Sequence, residues 1–246
     1  MLTTAQIKHL QSLKLKKYRQ NYDEFIIEGD KLVTEALLGN EVMPLLIATD
    51  EWIVNNKATL PSHLQVEIAK QKDLDKISSL STAPPVMALV KQRIYAISDI
   101  QVNDNWILAL DGINDPGNLG TIIRSADWFG ISTIICSNNC VDVYNPKVVQ
   151  STMGSLFHVK VIYTDLHDFV ATNKHKCVAA TLDGQQAYDY KFDKEGILLI
   201  GSESHGITEA IVSLIQNKIT IPSFGKAESL NAAVATSILL SLLSNK

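Results

Sequence analysis

What the 246-residue chain lacks narrows its class before any motif is read. It has only three cysteines, Cys136, Cys140 and Cys177, with no CxxC pair and no histidine near them at zinc-ligand spacing. A metal centre built on sulfur is therefore not expected, and the three read as reduced packing residues. No apolar run is long enough to cross a bilayer: the longest late stretch, "LNAAVATSILLSLL", is too short and carries Asn and Thr. The first residues, "MLTTAQIKHLQSLKLKKYRQ", hold no uninterrupted apolar segment of the secretory kind. Absence of a GK[ST] excludes a P-loop. "GNLG" lacks a third glycine and the second strand ends in "CSNNC", which excludes a dinucleotide fingerprint. The expectation is a cytoplasmic protein with no membrane partner and no metal.

What is present is a core-forming composition. Apolar residues make up 46% of the chain, enough for one large domain or two of ordinary size. The net charge of −4 hides a gradient. Residues 1–20 carry Lys8, Lys14, Lys16, Lys17 and Arg19 and no acidic residue. Such a stretch is either a solvated helix face or a local patch that contacts phosphates, and both readings stay open at this level.

From Phe25 to Leu89, short apolar runs ("FIIEG", "PLLIAT", "LQVEIA", "VMALV") alternate with helical stretches such as "DKLVTEALLGN" and "QKDLDKISSL". This pattern predicts a small α/β domain. Residues 91–105, "KQRIYAISDIQVNDN", turn polar and lose periodicity, which separates domains at 1–95 and 105–246. Beyond them the strands "WILALDG", "STIICSN", "HVKVIY", "CVAATL", "GILLIGSE" and "KITIPS" alternate with the helices "LGTIIRSADWFG", "NPKVVQSTMGSLF", "LHDFVATNK", "ITEAIVSLIQ" and "LNAAVATSILLSLL". The predicted fold is α/β, a mostly parallel sheet with helices on both faces. Ligands of such sheets bind at the carboxyl ends of the strands, where three loops stand: "DGINDPGNLG", "GSESHG" and "PSFGKAESLN".

Each loop offers candidates with a plainer alternative beside them. Gly117 and Gly120 flank Asn118 and read as a turn that lets a ligand approach the backbone. Arg124 either snorkels from the following helix or aims a guanidinium at a phosphate or carboxylate. Glu203 either caps "ITEAIV" or serves as a functional carboxylate at a strand end. Ser229 reads as the N-cap of the last helix, with Asn231 in its first turn. Together the loops hold an Arg, a Glu, two Asn and a Ser, without a nucleophilic cysteine or a metal cluster. Such a set positions and polarises groups, and the electrophile has to come with a cofactor.

Taken in order, "DPGNLGTIIRSADWFG", "LLIGSESHGI" and "IPSFGKAESLNAAVATSILL" resemble the three motifs of the SpoU/TrmH family of RNA ribose 2′-O-methyltransferases, of the SPOUT class. The likeness covers residues 105–246, with "NPKVVQSTMGSLFHVKV" between, and "YDEFIIEGDKLVTEAL" resembles the ribosomal-protein-like substrate-binding domain that precedes the catalytic one in many members. The resemblance implies a C-terminal domain with a deep trefoil knot, a homodimer whose site borrows from both subunits, and S-adenosylmethionine as cofactor. It implies RNA as substrate, ribosomal or transfer, with ribosomal favoured; a non-catalytic ribosome assembly factor on the same fold is the alternative. By position in the motifs, Asn118, Arg124, Glu203, Ser229 and Asn231 would form the catalytic set. Gly201, Ile221 and Leu230 would line the cofactor through backbone groups, with Leu182 beneath the adenosine. Three positions depart from the family pattern: Ser223 stands where Met is usual, "NAAVA" replaces "NVSVA", and Thr152 replaces a frequent Ser.

Overall fold

The computed structural model describes residues 2–100, 105–173 and 175–244. The chain divides into two compact units, Met1–Arg93 with Tyr144–Phe157, and Ile94–Val143 with His158–Lys246. Among the described residues no helix is long and apolar enough to cross a membrane.

The first unit runs α1 (Thr4–Ser12), α2 (Lys16–Tyr22), β1 (Glu24–Glu28), α3 (Asp30–Leu38), β2 (Leu45–Ala48), α4 (Asp50–Asn56), β3 (Val66–Ile68), α5 (Gln71–Ile77) and β4 (Val86–Lys91). Its sheet order is β1-β4-β2-β3, antiparallel except for β2 with β3. Leu45, Ile47, Met87 and Leu89 point to one face and pack with Leu10, Leu13, Leu74 and Ile77, which fixes α1 and α5 there. Each such buried side chain contributes about 1.5–3 kcal/mol. A capping box between Thr3 and Gln6 starts α1. The helix Pro146–Thr152, α7 in chain order, also belongs to this unit, as does Tyr144, whose ring lies 4.6 Å from that of Phe25.

Arg19 departs from the expected basic patch. It is 2% exposed, and its guanidinium donates to the Leu13 and Lys14 carbonyls at 2.9 Å each. The charge therefore holds the α1–α2 junction from within, whereas Lys8, Lys14, Lys16 and Lys17 are exposed.

The second unit contains β5 (Trp106–Asp111), α6 (Pro116–Trp128), β6 (Thr133–Ser137), β7 (Lys160–Thr164), α8 (Leu166–Thr172), β8 (Cys177–Gln186), β9 (Gly196–Gly201), α9 (Glu209–Val212), β10 (Asn217–Thr220) and α10 (Ala232–Ser244). Its six strands lie in the order β10-β8-β9-β5-β6-β7, every pairing parallel. One face, with Ile107, Ala109, Ile135, Ile162, Ala179, Ile197 and Leu199, packs on Leu166 and Val170 of α8 and on Ile207, Ile211 and Ile215. The alternate residues Leu108, Leu110, Ile134, Leu198 and Ile200 are buried too, so both faces are covered. On the other face α6 and α10 pack together, joined by Ser125 and Ser237 at 2.8 Å.

Two local expectations change. The stretch "DPGNLG" is not a glycine turn: α6 begins at Pro116, so Gly117, Asn118 and Gly120 are helical. Asp115 caps it by accepting the Asn118 N–H at 2.8 Å, with Pro at the first helical position. The left-handed residue is Gly112, φ 67°, at the end of β5. In "ITEAIVSLIQ" only one turn, α9, is regular; the i, i+4, i+8 isoleucines 207, 211 and 215 serve burial rather than a long helix.

Candidate active site

Strands β5, β6 and β7 step outward in one direction, and β9, β8 and β10 in the other, so the sheet reverses its order between β5 and β9. The crevice outside the carboxyl ends at such a reversal is where open α/β sheets bind ligands. Here a cavity of about 680 Å³ opens beside β9, lined by residues of 180–182, 200–207 and 219–230 together with α10.

Its walls follow from two irregularities. Lys218 of β10 pairs with Ala179, but the next residue, Ile219, pairs with Gln185, so residues 180–184 bulge out of β8. Leu182, 80% exposed, sits on this bulge and lines the cavity. Gly184 closes it, since a Cβ there would stand 2.4 Å from the Ile219 nitrogen. After β9 the chain folds back on itself, with reciprocal backbone hydrogen bonds between Ser202 and Gly206. A Cβ on Gly201 would lie 2.0 Å from the Gly206 carbonyl carbon, so glycine is required by the loop itself, ahead of any ligand. Glu203, Ser204 and His205 form the exposed tip.

At the rim, three side chains distant in sequence converge. Glu203 Oε1 accepts from Asn118 Nδ2 at 2.5 Å, Asn231 Nδ2 at 3.2 Å and the Ala232 N–H at 3.0 Å. Asn231 Nδ2 also donates to Asn118 Oδ1 at 2.8 Å. Asn231 Oδ1 accepts from the Ala233 and Val234 N–H groups at 3.0 and 3.2 Å and so caps α10. The cap of this helix is thus Asn231, not Ser229, and Glu203 serves α10 rather than "ITEAIV". A carboxylate at the start of a 13-residue helix is also favoured by the helix dipole. This clamp joins the first turn of α6, the 202–206 loop and the first turn of α10.

Arg124 stands apart. It lies six residues after Asn118, about 120° round the helix. It is exposed on a stripe with Thr121 and Trp128, and among the described residues no hydrogen bond or ion pair holds it. Gly201, Ile221, Ser229 and Leu230 line the cavity with Leu182.

Other residues that shape the site are not among its sequence candidates, Cys140 reading there only as a packing residue. Thr181 lines the cavity with its hydroxyl oxygen buried and unpaired, a group that calls for a polar partner there. Asp111, 4% exposed at the end of β5, accepts the Thr208 N–H at 2.7 Å. Cys140 accepts the Ile113 N–H at 3.3 Å, donates to the Leu110 carbonyl at 3.4 Å, and steadies the loop ahead of α6. Its thiol is pulled down to about 7, first by a hydrogen bond from Cys136 and then by Ser137 and the Ile113 and Gly112 N–H groups, against the opposing effect of burial. Only Asp115 had a local signature, an Asp-Pro at a helix start.

A cofactor-sized cavity at the reversal of a parallel sheet, with apolar walls, one unpaired hydroxyl and a rim of amides and a carboxylate, defines a group-transfer enzyme whose reactive group arrives with the cofactor. Residues 105–241 match the SpoU rRNA Methylase family, and residues 4–88 match the MRM3-like substrate binding domain. The chain is 28% identical over 238 residues to the 23S rRNA (guanosine(2553)-2′-O)-methyltransferase RlmP of Bacillus subtilis, covering 95% of this chain and 94% of that one. A putative TrmH-family RNA methyltransferase structure from Porphyromonas gingivalis superposes with TM-score 0.88 at 36% identity, over 99% of this chain and 98% of its own. The AdoMet-bound rRNA methyltransferase of Sinorhizobium meliloti gives TM-score 0.88 at 30% identity, over 99% and 95%. The chain belongs to the SpoU rRNA methylase family and is an S-adenosylmethionine-dependent RNA 2′-O-methyltransferase.

Proposed function

We propose that the protein methylates a ribose 2′-hydroxyl of structured ribosomal RNA, in preference to transfer RNA, in the cytoplasm. The observation that carries the reading is the cavity with the Asn118–Glu203–Asn231 clamp on its rim. The ribosomal preference is supported by the full-length likeness to an enzyme named for 23S rRNA and by the preceding substrate-binding domain, which would occupy residues 1–95 ahead of a catalytic domain at 105–246.

Leu182, Gly201, Ile221 and Leu230 would hold S-adenosylmethionine, with the Thr181 hydroxyl as a polar partner inside the cavity. When bound, the cofactor supplies a methyl group on a positively charged sulfur. The chain's own residues then align and exclude water. The clamp holds the rim on which the ribose sits, and Ser229 orients the hydroxyl. Arg124 binds the neighbouring phosphate and stabilises the developing alkoxide, with the proton leaving late to phosphate or water. A guanidinium is too reluctant to lose its proton to act as base near neutral pH.

Since Arg124 is separate from its own clamp and lies beside Trp128, 84% exposed, the protein would act as a homodimer through the α6–α10 face, each Arg124 serving the partner's cavity. The family's deep trefoil knot would form around the 221–231 loop and α10. Single-turnover transfer of labelled methyl to ribosomal and transfer RNA tests the substrate. Cofactor binding without transfer to either RNA would leave the assembly-factor alternative.

A further inference from the structure

We infer that the exposed lysines around the α1–α2 junction form a phosphate-binding surface that grips the RNA substrate through its backbone, independently of base sequence. The inference rests on the RNA methyltransferase reading and adds a contact outside the cavity.

Residues 1–22 hold five of the chain's 22 Lys and Arg residues and none of its 26 Asp and Glu residues, in a protein of net charge −4. Elsewhere in this unit Lys31 stands against Glu35, Lys76 against Asp73 and Lys91 against Glu24, exposed Lys70 and Lys72 act on nearby Asp73, and exposed Lys57 and Lys147 are isolated in sequence. Among the described residues no carboxylate pairs with Lys8, Lys16 or Lys17, and all three are exposed. A solvated face usually mixes both signs, because clustered like charges repel. Leaving the counter-charge to a polyanion resolves that repulsion.

The junction is also built to present these groups. Buried Arg19 ties down the Leu13 and Lys14 carbonyls from below. Lys14 Nζ donates to the Ser78 carbonyl at 2.7 Å, and Gln11 Nε2 to the Lys76 carbonyl at 3.2 Å. Backbone order is therefore already in place, and binding costs little beyond fixing lysine side chains. Lysine suits phosphate as a compact charge without demanding a base pattern, so the surface would set register on structured RNA rather than read sequence.

The test compares the full chain with Lys8→Ala/Lys16→Ala/Lys17→Ala, and with Lys57→Ala/Lys70→Ala/Lys194→Ala as a charge-matched control. RNA affinity is followed against salt on a fragment of ribosomal RNA. Each lost phosphate contact should lower the slope of log affinity against log salt by about 0.7–0.9, so the triple variant should lose roughly 2–3 units of slope and about tenfold or more in affinity. Its single-turnover rate at saturating RNA, its cofactor affinity and its melting temperature should stay unchanged. An unchanged slope, or an equal loss in the control, would overturn the inference. RNA binding without methylation by the wild-type chain would sink the proposed activity while the slopes still decide the surface, and no RNA binding by the wild type would overturn both.

Discussion

The two sheets treat polar groups differently. In the first unit Arg19, Glu24 and Glu28 are nearly buried, at 2%, 9% and 7% exposure, and each is answered locally. Arg19 caps two carbonyls, Glu24 meets His9 and Lys91 at 2.9 Å each, and Glu28 accepts the Ser79 N–H at 2.9 Å together with the Ser78 hydroxyl. The recess beside Arg19 and Glu28 measures about 10 Å³, scarcely room for one water. In the second unit Asp111 is the buried charge among the described residues, answered by the Thr208 N–H, and the other carboxylate tied across loops, Glu203, stands with two asparagines on the rim of a cavity of about 680 Å³. Burial of a charge in the first unit therefore goes with structural bracing, whereas the solvent-accessible polar groups tied across three loops of the second form the rim to which the proposed chemistry is assigned.

The largest test of that contrast is Gly201→Val. Because the new side chain would meet the Gly206 backbone rather than only a ligand, the expected outcome is loss of measurable S-adenosylmethionine binding in calorimetry together with a lower melting temperature. Unaltered melting with lost binding would mean that the glycine serves the ligand alone.

Arg124→Ala should follow, with a loss of roughly 100- to 1000-fold in single-turnover methyl transfer and cofactor affinity nearly constant. Arg124→Lys should fall between, since it keeps the charge and loses the planar fork. Wild-type turnover in Arg124→Ala would reduce this arginine to a surface group.

A matched pair of glutamates compares the units directly. Glu203→Gln should slow transfer roughly 10- to 100-fold, the equivalent of about 1.4–2.7 kcal/mol in the transition state. Glu28→Gln should lower folding stability by about 1–3 kcal/mol in denaturant titration and leave the rate of the folded enzyme alone. Equal kinetic losses from both would erase the distinction between bracing and chemistry.

The smallest effect concerns Cys140. Its folded thiol titrates at about 7, below the usual value of 9.0, so its contribution to stability is complete above the unfolded pKa and fades as pH falls from there through about 7. Raising pH from near neutrality towards 9 should widen the stability gap between the wild type and Cys140→Ser. A gap that narrows over that range would contradict the hydrogen-bonded thiol.

Much of the architecture was legible because parallel strands buried on both faces must be apolar throughout, as "WILALDG" and "GILLIGSE" are. Gly130 ended α6 at φ 76° as its position implied, since few other residues tolerate that conformation. The glycines around Asn118 suggest a turn, but Asp115 as N-cap and Pro116 at the first helical position start a helix that carries both glycines within it.

The identity of most strands and helices, the polar segment near residue 100 and the three loops at the strand ends were thus determined by sequence alone, since each depends on neighbours a few positions apart, while "ITEAIVSLIQ" and the start of α6 were not. Which loop residues meet was not. Glu203 lies 85 residues from Asn118 and 28 from Asn231, and only the reversal of strand order between β5 and β9 brings them within hydrogen-bond distance. The same tertiary packing turned Arg124 away from that clamp by helix rotation, pushed residues 180–184 out of β8 to make a wall, and drew Arg19 inside while its lysine neighbours stayed outside. Local propensity reads spacing along the chain, but the partners of a carboxylate or guanidinium are set by chain crossings that spacing does not encode.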